Sequence, residues 1–172
     1  VRASISNPKR TTINAIAASI LPDDFGKLYD PFNGLKDLQK GLIITPMDPD
    51  ETFSDDPLRM LRAVRFGAQL KYEVAPTTLD SITRNVERLA IISWERIRDE
   101  MIKSLKTDTP SIAFYIMKDT GILTQVFPEL DIMSGVEVIE GKGHKDVFIH
   151  TLQVVDNAAK LTTNMEVRFA AL

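Results

Sequence analysis

The residues with the clearest chemical potential lie at positions 53–66, where two aspartates precede a row of arginines. Asp55 and Asp56 stand before Pro57. Arginines then recur at every third position: Arg59, Arg62 and Arg65. Because proline suits the first turn of a helix and aspartate is a good cap, Asp56 is predicted to be the N-cap of a helix that starts at Pro57. Three-residue spacing keeps the arginines on one side of that helix.

An aspartate and an arginine held side by side could read the Watson–Crick edge of a base. A carboxylate only accepts hydrogen bonds and a guanidinium only donates them. Cytosine and adenine present an amino donor beside a ring-nitrogen acceptor, so Asp56 and Arg59 suit both, whereas uracil and guanine reverse the pattern. Each bidentate contact discriminates by about 1–3 kcal/mol, and the other arginines could meet phosphates. A capped helix with ion pairs three residues apart is the structural alternative.

Composition limits the classes of protein that the chain can belong to. With 172 residues, 44% of them apolar and 26% charged, it can form one domain or two small ones, which argues against disorder. No apolar run reaches the length of a membrane-spanning helix, so no membrane partner is expected. The absence of cysteine excludes disulfides and zinc–thiolate sites and fits a cytoplasmic protein.

Charge is unevenly distributed along the chain. The whole chain has a net charge of −3, so it is not uniformly basic. Residues 23–56 carry nine acids and three lysines, whereas residues 57–106 carry ten basic residues and six acids. A change from acidic to basic favours a local site for phosphate or a polyanion, although solvated helix faces produce the same asymmetry.

The elements that must position these residues are mostly helical. Apolar residues at helical spacing predict helices over 13–20, 58–68, 79–89, 97–105, 110–121 and 148–159. Leu42, Ile43 and Ile44 predict a short strand, and Gly121 is predicted to end the fifth helix. Glycines between 131 and 145 indicate a linker. The chain stops within an apolar run, so we expect it to be part of a longer protein.

Four motifs occur in order along the chain. They are Thr-Ile-Asn-Ala at 12–15, Asp-Pro-Phe-Asn-Gly-Leu-Lys-Asp-Leu at 30–38, Asp-Asp-Pro-Leu-Arg at 55–59 and Ser-Trp-Glu-Arg-Ile-Arg-Asp-Glu at 93–100. Together they resemble the neck and body of the class II tRNA nucleotidyltransferase / poly(A) polymerase family, the template-independent CCA-adding enzymes. The resemblance covers nearly the whole chain.

The resemblance implies roles for particular residues. Asp56 and Arg59 would read the incoming base, with Asp55 where the family usually has glutamate. Arg62 would approach the triphosphate and Asn14 would lie near the nucleotide. The remaining matches belong to a hinge element and to the neck motif: Asp30, Gly34 and Asp37, then Glu95, Arg96 and Glu100. For the neck residues, holding helices together is as plausible as contacting a ligand.

The resemblance also implies the organisation and the activity of the protein. The fold class would be mainly α: residues 1–50 would end an α/β nucleotidyltransferase head and form the hinge, 51–130 would form a helical neck and body, and 131–172 would be a linker and the start of an HD-like domain. The full-length enzyme would add C and A from CTP and ATP to tRNA 3′ ends. A poly(A) polymerase of the same family remains open.

The metal chemistry is expected outside this chain. Phosphoryl transfer needs carboxylates that hold Mg²⁺, and in this family they lie upstream of the Thr-Ile-Asn-Ala motif. Only eleven residues precede Thr12, and none is acidic, so the chain alone should be inactive. The family's Arg-Arg-Asp-Phe segment is replaced by Pro8-Lys9-Arg10-Thr11. The Asp48-Pro49-Asp50 turn is a weak metal-site candidate.

Two alternatives belong to other functional classes. The stretch 143–154 resembles the opening of an HD domain, in which His150 would be the first metal ligand. This leaves a metal-dependent phosphohydrolase with an accessory helical body as one alternative. We expect no metal at His150 within this chain, because its partners are missing. A non-catalytic RNA-binding helical module is the other alternative, and the sequence leaves the oligomeric state open.

Overall fold

The computed structural model describes residues 11–135, 137–139 and 144–172. Its α-helices are α1 (Gly34–Lys40), α2 (Pro49–Asp55), α3 (Leu58–Leu70), α4 (Pro76–Asn85), α5 (Trp94–Leu105), α6 (Ser111–Asp119), α7 (Ile122–Val126), α8 (Pro128–Asp131), α9 (Val147–Leu161) and α10 (Met165–Ala170). Short 3-10 helices occupy Thr12–Ala15, Pro22–Asp24 and Val86–Ile91. The mainly α fold class is confirmed.

Among the residues that the structure describes, the strands are short and occur in three pairs. They are β1 (Ala17–Ala18), β2 (Leu28–Tyr29), β3 (Leu42–Ile43), β4 (Glu73–Val74), β5 (Glu137–Ile139) and β6 (His144–Asp146). β1 with β2 and β5 with β6 are antiparallel pairs, whereas β3 and β4 are parallel, with Leu42 opposite Glu73. α2 and α3 form the crossover that a parallel pair requires.

Helix α3 is the centre of the structure. It packs against α5 and α6, and also contacts α2, β3 and β4. Met60, Leu61 and Val64 of α3 are fully buried, and so are Phe53 of α2 and Phe114 of α6. A helix buried on most of its faces is fixed in position by its neighbours, so polar side chains on α3 have defined surroundings. Within the described ranges, no helix has the length and apolarity needed to cross a bilayer.

The structure corrects two predictions about helix boundaries. Residues 13–20 do not form one helix: a 3-10 turn leads into β1, and Ile20 is exposed. The turn is held from outside, because the Thr12 N–H donates to the Ile44 carbonyl. Asp56 is also not the N-cap residue of α3. The helix begins at Leu58, and Pro57 is the residue directly before it. The Asp56 carboxylate still accepts a hydrogen bond from the Leu58 N–H at 3.3 Å.

Other local predictions are confirmed. β3 forms at the apolar segment that predicted a strand. Helix α6 ends at Asp119, and Gly121 follows with a φ of +78°, a left-handed conformation that glycine adopts without the strain of a side chain. The segment 131–145, predicted to be a linker, instead forms β5 and the first part of β6 in its described residues.

The two helices after this pair pack on the body. Phe148, Leu152 and Val155 of α9 join the same apolar core as α3 and α6. Asp156 of α9 accepts hydrogen bonds from the Ser111 N–H at 2.9 Å and from its hydroxyl at 2.6 Å, at the start of α6. Residues on both sides of the predicted boundary at 131 therefore share one core.

Gly34 lies where no side chain can be accommodated. A Cβ there would overlap the Thr12 carbonyl oxygen and lie 2.8 Å from the carbonyl carbon. We expect Gly34→Ala to lower the free energy of unfolding by about 2 kcal/mol, because two backbone segments must separate. Urea denaturation measures the change. Lys36→Ala, an exposed substitution on the same helix, serves as the control, and equal stability of the two variants would contradict the close approach.

Candidate nucleotide-binding site

Arg59 is fixed in the interior at the junction of α2 and α3. Its side chain is 9% exposed. One terminal nitrogen donates to the Asp55 carboxylate at 3.0 Å and the other to the Thr52 carbonyl at 3.0 Å. Its Nε is buried and has no partner among the described residues. The guanidinium is thus held in one orientation by α2, and the Nε–H is left as a buried donor.

Asp56 lies beside this arginine but is engaged elsewhere. Its Oδ2 is 4.0 Å from the Nε of Arg59, beyond hydrogen-bond distance. Both carboxylate oxygens instead lie 3.3 Å from a terminal nitrogen of Arg96 on α5. Asp56 and Arg59, the residues predicted to read the base, are therefore adjacent. Arg96, forty residues further along the chain, also contacts Asp56.

Glu100 of α5 connects this helix to α3, one turn after Arg96. Its side chain is 2% exposed. It accepts hydrogen bonds from Arg65 at 2.8 Å, Lys103 at 3.0 Å and Arg62 at 3.4 Å. Three cations on two helices thus share one buried carboxylate, and Arg62 has a protein partner at the position predicted to approach triphosphate.

The ionisation of Glu100 follows from these contacts. Burial by itself would raise the pKa of Glu100, because it disfavours the charged form. Hydrogen bonds from Lys103 and Arg65, together with the charges of these two cations, outweigh burial and hold the pKa below the ordinary value of glutamic acid. The carboxylate is therefore ionised at neutral pH.

A narrow cavity joins the first motif to the arginines. Its lining residues come from four segments: Thr11, Thr45, Thr52, Phe53, Arg59, Arg62, Ala63 and Phe66. Thr11 and Thr45 are buried, and the Thr45 hydroxyl donates to the Met47 carbonyl. Thr11, the residue before the Thr-Ile-Asn-Ala motif, therefore lines the same cavity as Arg59 and Arg62.

The hinge residues order the start of α1. Asp30 accepts hydrogen bonds from the N–H groups of Gly34 at 2.7 Å and Leu35 at 2.9 Å. Asp37 accepts a hydrogen bond from the Thr12 hydroxyl at 2.7 Å. The second motif is thereby attached to the first. Both carboxylates act on the protein's own backbone or hydroxyl groups.

Three further predicted positions lie away from these contacts. Asn14 is exposed on its 3-10 turn, and His150 is exposed on α9. Glu95 is exposed at the start of α5, where its own N–H and the Ser93 hydroxyl lower its pKa. The altered residues Pro8, Lys9 and Arg10 lie outside the described residues.

The described side chains do not provide a cluster for a metal ion. Across residues 11–135, 137–139 and 144–172, no group of three or more histidines and carboxylates converges as metal ligands would. Asp48 instead caps α2 by accepting from the N–H groups of Asp50 and Glu51. Asp50 accepts hydrogen bonds from Ser81, Arg84 and Asn85. Both aspartates of the Asp-Pro-Asp turn are therefore occupied by protein donors, and these residues do not fit Mg²⁺.

Comparison with known proteins identifies the family. A family model described as "Probable RNA and SrmB-binding site of polymerase A" matches residues 71–133. The chain is 38% identical over 165 residues to the Multifunctional CCA protein of Nitrosospira multiformis and 41% identical over 169 residues to that of Psychromonas ingrahamii, covering 94% of this chain in both cases. It belongs to the class II tRNA nucleotidyltransferase / poly(A) polymerase family. The predicted family is thus confirmed.

Solved structures of CCA-adding enzymes have the same fold. The Bacillus stearothermophilus enzyme in complex with CTP is 36% identical, with a TM-score of 0.62 over 66% of this chain and 28% of that one. A CCA-adding enzyme in complex with ATP is 26% identical, with a TM-score of 0.72 over 95% of this chain and 37% of that one. The chain spans 38% and 39% of the length of the two curated relatives.

Sequence reasoning did not identify every residue of the site in this family member. It did not assign Thr52, whose contribution is a backbone carbonyl and so leaves no mark in the residue type. It also omitted Lys103, although a lysine three residues after Glu100 on a helix is a recognisable ion-pair spacing. Arg65 was noticed in the arginine row, but its partner on α5 could not be inferred from one helix.

Proposed function

We propose that this chain selects the incoming nucleotide, and contacts RNA, in a protein that adds C and A from CTP and ATP to the 3′ end of tRNA. The observation that carries the proposal is the Arg59 guanidinium, which is held by Asp55, with the Asp56 carboxylate 4.0 Å from its Nε. Solved relatives described as complexes with CTP and with ATP support it. The RNA substrate favours the cytoplasm as the compartment.

Each residue has a proposed task at the site. Arg59 is held by Asp55 and the Thr52 carbonyl, so its planar donors need no reorganisation when a base arrives. Asp56 is exposed enough, at 23%, to accept the amino group of cytosine or adenine when Arg96 yields. Arg62 is the proposed triphosphate contact and Asn14 the proposed neighbour of the nucleotide.

The remaining predicted residues support this site from its surroundings. We propose that Asp30, Gly34 and Asp37 form the hinge, that Arg96 and Glu100 hold α5 against the start and the middle of α3, and that Glu95 belongs to the same neck motif. The same three-part division of the chain is proposed: 1–50 with the end of the head, 51–130 as neck and body, and 131–172 as the start of an HD-like region that contains His150. Mg²⁺ is the proposed metal, with ligands outside this chain, because the carboxylates described above do not fit it.

The decisive experiment is nucleotide selection by the intact protein. We expect Asp56→Ala to reduce the preference for CTP and ATP over UTP and GTP about fivefold or more, since about 1–3 kcal/mol of discrimination depends on one bidentate contact. Incorporation of each nucleotide into tRNA lacking its 3′-terminal CCA measures the preference. Asp99→Ala, an exposed aspartate on α5, is the matched control.

The outcomes also separate the alternatives. Unchanged selectivity in Asp56→Ala would refute the template assignment. Incorporation of ATP without CTP in the wild-type protein would identify a poly(A) polymerase, which the description of the matched family model favours as the second candidate. RNA binding without any incorporation would indicate a non-catalytic module. Hydrolysis of cyclic phosphates that survives loss of Arg59 would indicate a phosphohydrolase.

A further inference from the structure

A second, polar cleft lies next to Glu100 on the side away from Asp56. We name it the basic cleft, and it is lined by Arg65, Gln69, Lys103, Lys106, Thr107 and Asp108. Arg65 and Gln69 come from the second half of α3, and the lysines from the end of α5. Three cations and one carboxylate therefore line a concave surface in a chain whose net charge is −3.

Arg65 is held rigidly at the base of this cleft. Its Nε donates to Glu100 at 2.8 Å and one terminal nitrogen donates to the Gln69 side chain at 2.7 Å. Its guanidinium also lies over the Phe66 ring, 4.1 Å from the ring centroid. Three supports leave the guanidinium little freedom, so it can bind an anion without losing side-chain entropy.

Lys106 is not explained by the ordinary role of a lysine at a helix C-terminus. Such a lysine would complement the last carbonyl groups. Here the Leu105 carbonyl already accepts from Arg168 at 2.7 Å, and the Ser104 carbonyl accepts from the Thr107 hydroxyl at 2.7 Å. Among the described residues, no carboxylate lies within ion-pair distance of the Lys106 ammonium, and its side chain is exposed.

We infer that the basic cleft binds a backbone phosphate of the RNA. This inference rests on the proposed function and adds to it the place where the RNA strand is held. Arg65 supplies planar donors at the base, Lys103 supplies an ammonium group that is bonded to Glu100 at 3.0 Å, and Lys106 supplies an exposed ammonium group at the rim. The family model that matches residues 71–133 includes both lysines and is described as a probable RNA-binding site, which agrees with this assignment.

The test uses the intact protein and labelled tRNA lacking its 3′-terminal CCA. Binding is followed by fluorescence anisotropy between about 50 and 200 mM salt. We expect the Lys103→Gln/Lys106→Gln double variant to bind about tenfold more weakly at the lower salt. The slope of log affinity against log salt should fall by about 1, as loss of one phosphate contact requires.

Control variants separate the cleft from net charge and from folding. Lys40→Gln/Lys160→Gln removes the same charge from exposed positions outside the cleft and should change affinity less than twofold. Lys106→Gln alone breaks no contact among the described residues and should still weaken binding severalfold. Asp108→Asn removes the opposing carboxylate from the cleft and should strengthen binding about twofold, a change that a purely structural role of the lysines does not produce.

The results decide the cleft and the proposed function separately. The inference is overturned if the Lys103/Lys106 variant matches the Lys40/Lys160 variant in affinity and slope. If the wild-type protein binds RNA but adds no nucleotide, the proposed function fails. The salt dependence of RNA binding would still show whether the basic cleft binds a phosphate. The preference for CTP over UTP should be the same in the cleft variants and the wild type, because Asp56 and Arg59 are intact.

Discussion

Replacing Glu100 by alanine is expected to lower the free energy of unfolding by about 3 kcal/mol. The carboxylate is buried between α3 and α5 and accepts hydrogen bonds from three cations. Its removal leaves Arg65, whose side chain is only 13% exposed, without an opposite charge. Lys103 and Arg62 are more exposed and recover hydration, so the cost stays near the lower end for a broken buried ion pair. Urea denaturation of the intact chain measures it.

Two comparisons test this account of Glu100. Asp99→Ala, the adjacent and exposed carboxylate on α5, should change stability by less than about 0.5 kcal/mol. Glu100→Gln keeps an acceptor but removes the charge, so it should lie between alanine and the wild type. If Glu100→Ala were no less stable than Asp99→Ala, the shared carboxylate would contribute nothing to the packing of α5 on α3.

The pH dependence has a defined sign. Because the pKa of Glu100 is lower in the folded protein, the unfolded chain takes up the proton first as pH falls. The stabilisation is therefore complete above the unfolded value of about 4.3 and is lost as pH falls through the folded pKa. The difference in stability between the wild type and Glu100→Gln should shrink over that acidic range and stay constant near neutral pH.

Local sequence signals predicted the elements that carry the site. The apolar stripe of α3 and the arginines on its other side follow from helical spacing alone, and so does the apolar face of α5. Gly121 was predicted as the residue that ends a helix, because its left-handed conformation is a local property. These features depend on neighbours within one turn, and the sequence contains those neighbours.

Contacts between distant segments account for the errors. Residues 13–20 have helical spacing, but the Thr12 N–H bonds to Ile44 and Ser19 pairs with Lys27, so the segment becomes a turn and a strand. Sequence spacing also placed Asp56 beside Arg59, which is 4.0 Å away in the structure, but it could not indicate that α5 brings Arg96 to Asp56 as well. A sequence pattern contains the residue types of such partners but not their positions in space.

The same limit applies to the C-terminal helices. The glycines after 131 indicated a linker, and the following helical spacing suggested a separate unit. The cap that Asp156 provides for α6 and the carbonyl contacts of Arg168 connect α9 and α10 to the body. The spacing of apolar residues does not predict such contacts, because each joins one side chain to the backbone of a segment that is distant in sequence.

Replacing Arg168 by methionine is expected to destabilise the protein by about 4 kcal/mol, the largest effect of a single substitution considered in this chain. The residue is 5% exposed. Its guanidinium donates to four backbone carbonyls: Leu105 at 2.7 Å, Thr162 at 2.8 Å, Ala159 at 2.9 Å and Thr107 at 3.1 Å. Methionine fills a similar volume but leaves these acceptors without a donor, and each unsatisfied buried group costs about 1–3 kcal/mol.

The positions of these four carbonyls predict which helices should become less protected from amide hydrogen exchange. Two of them lie at or just after the end of α5 and two at or just after the end of α9, so Arg168 is the shared donor of both helix ends. In Arg168→Met, amide hydrogen exchange should therefore quicken in α9 and α10 before it quickens in α3. Lys160→Met removes an exposed cation from α9 and should leave both exchange and stability near the wild-type values. A loss below about 1 kcal/mol in Arg168→Met would mean that water replaces the guanidinium at these carbonyls, because only solvent could satisfy them as well.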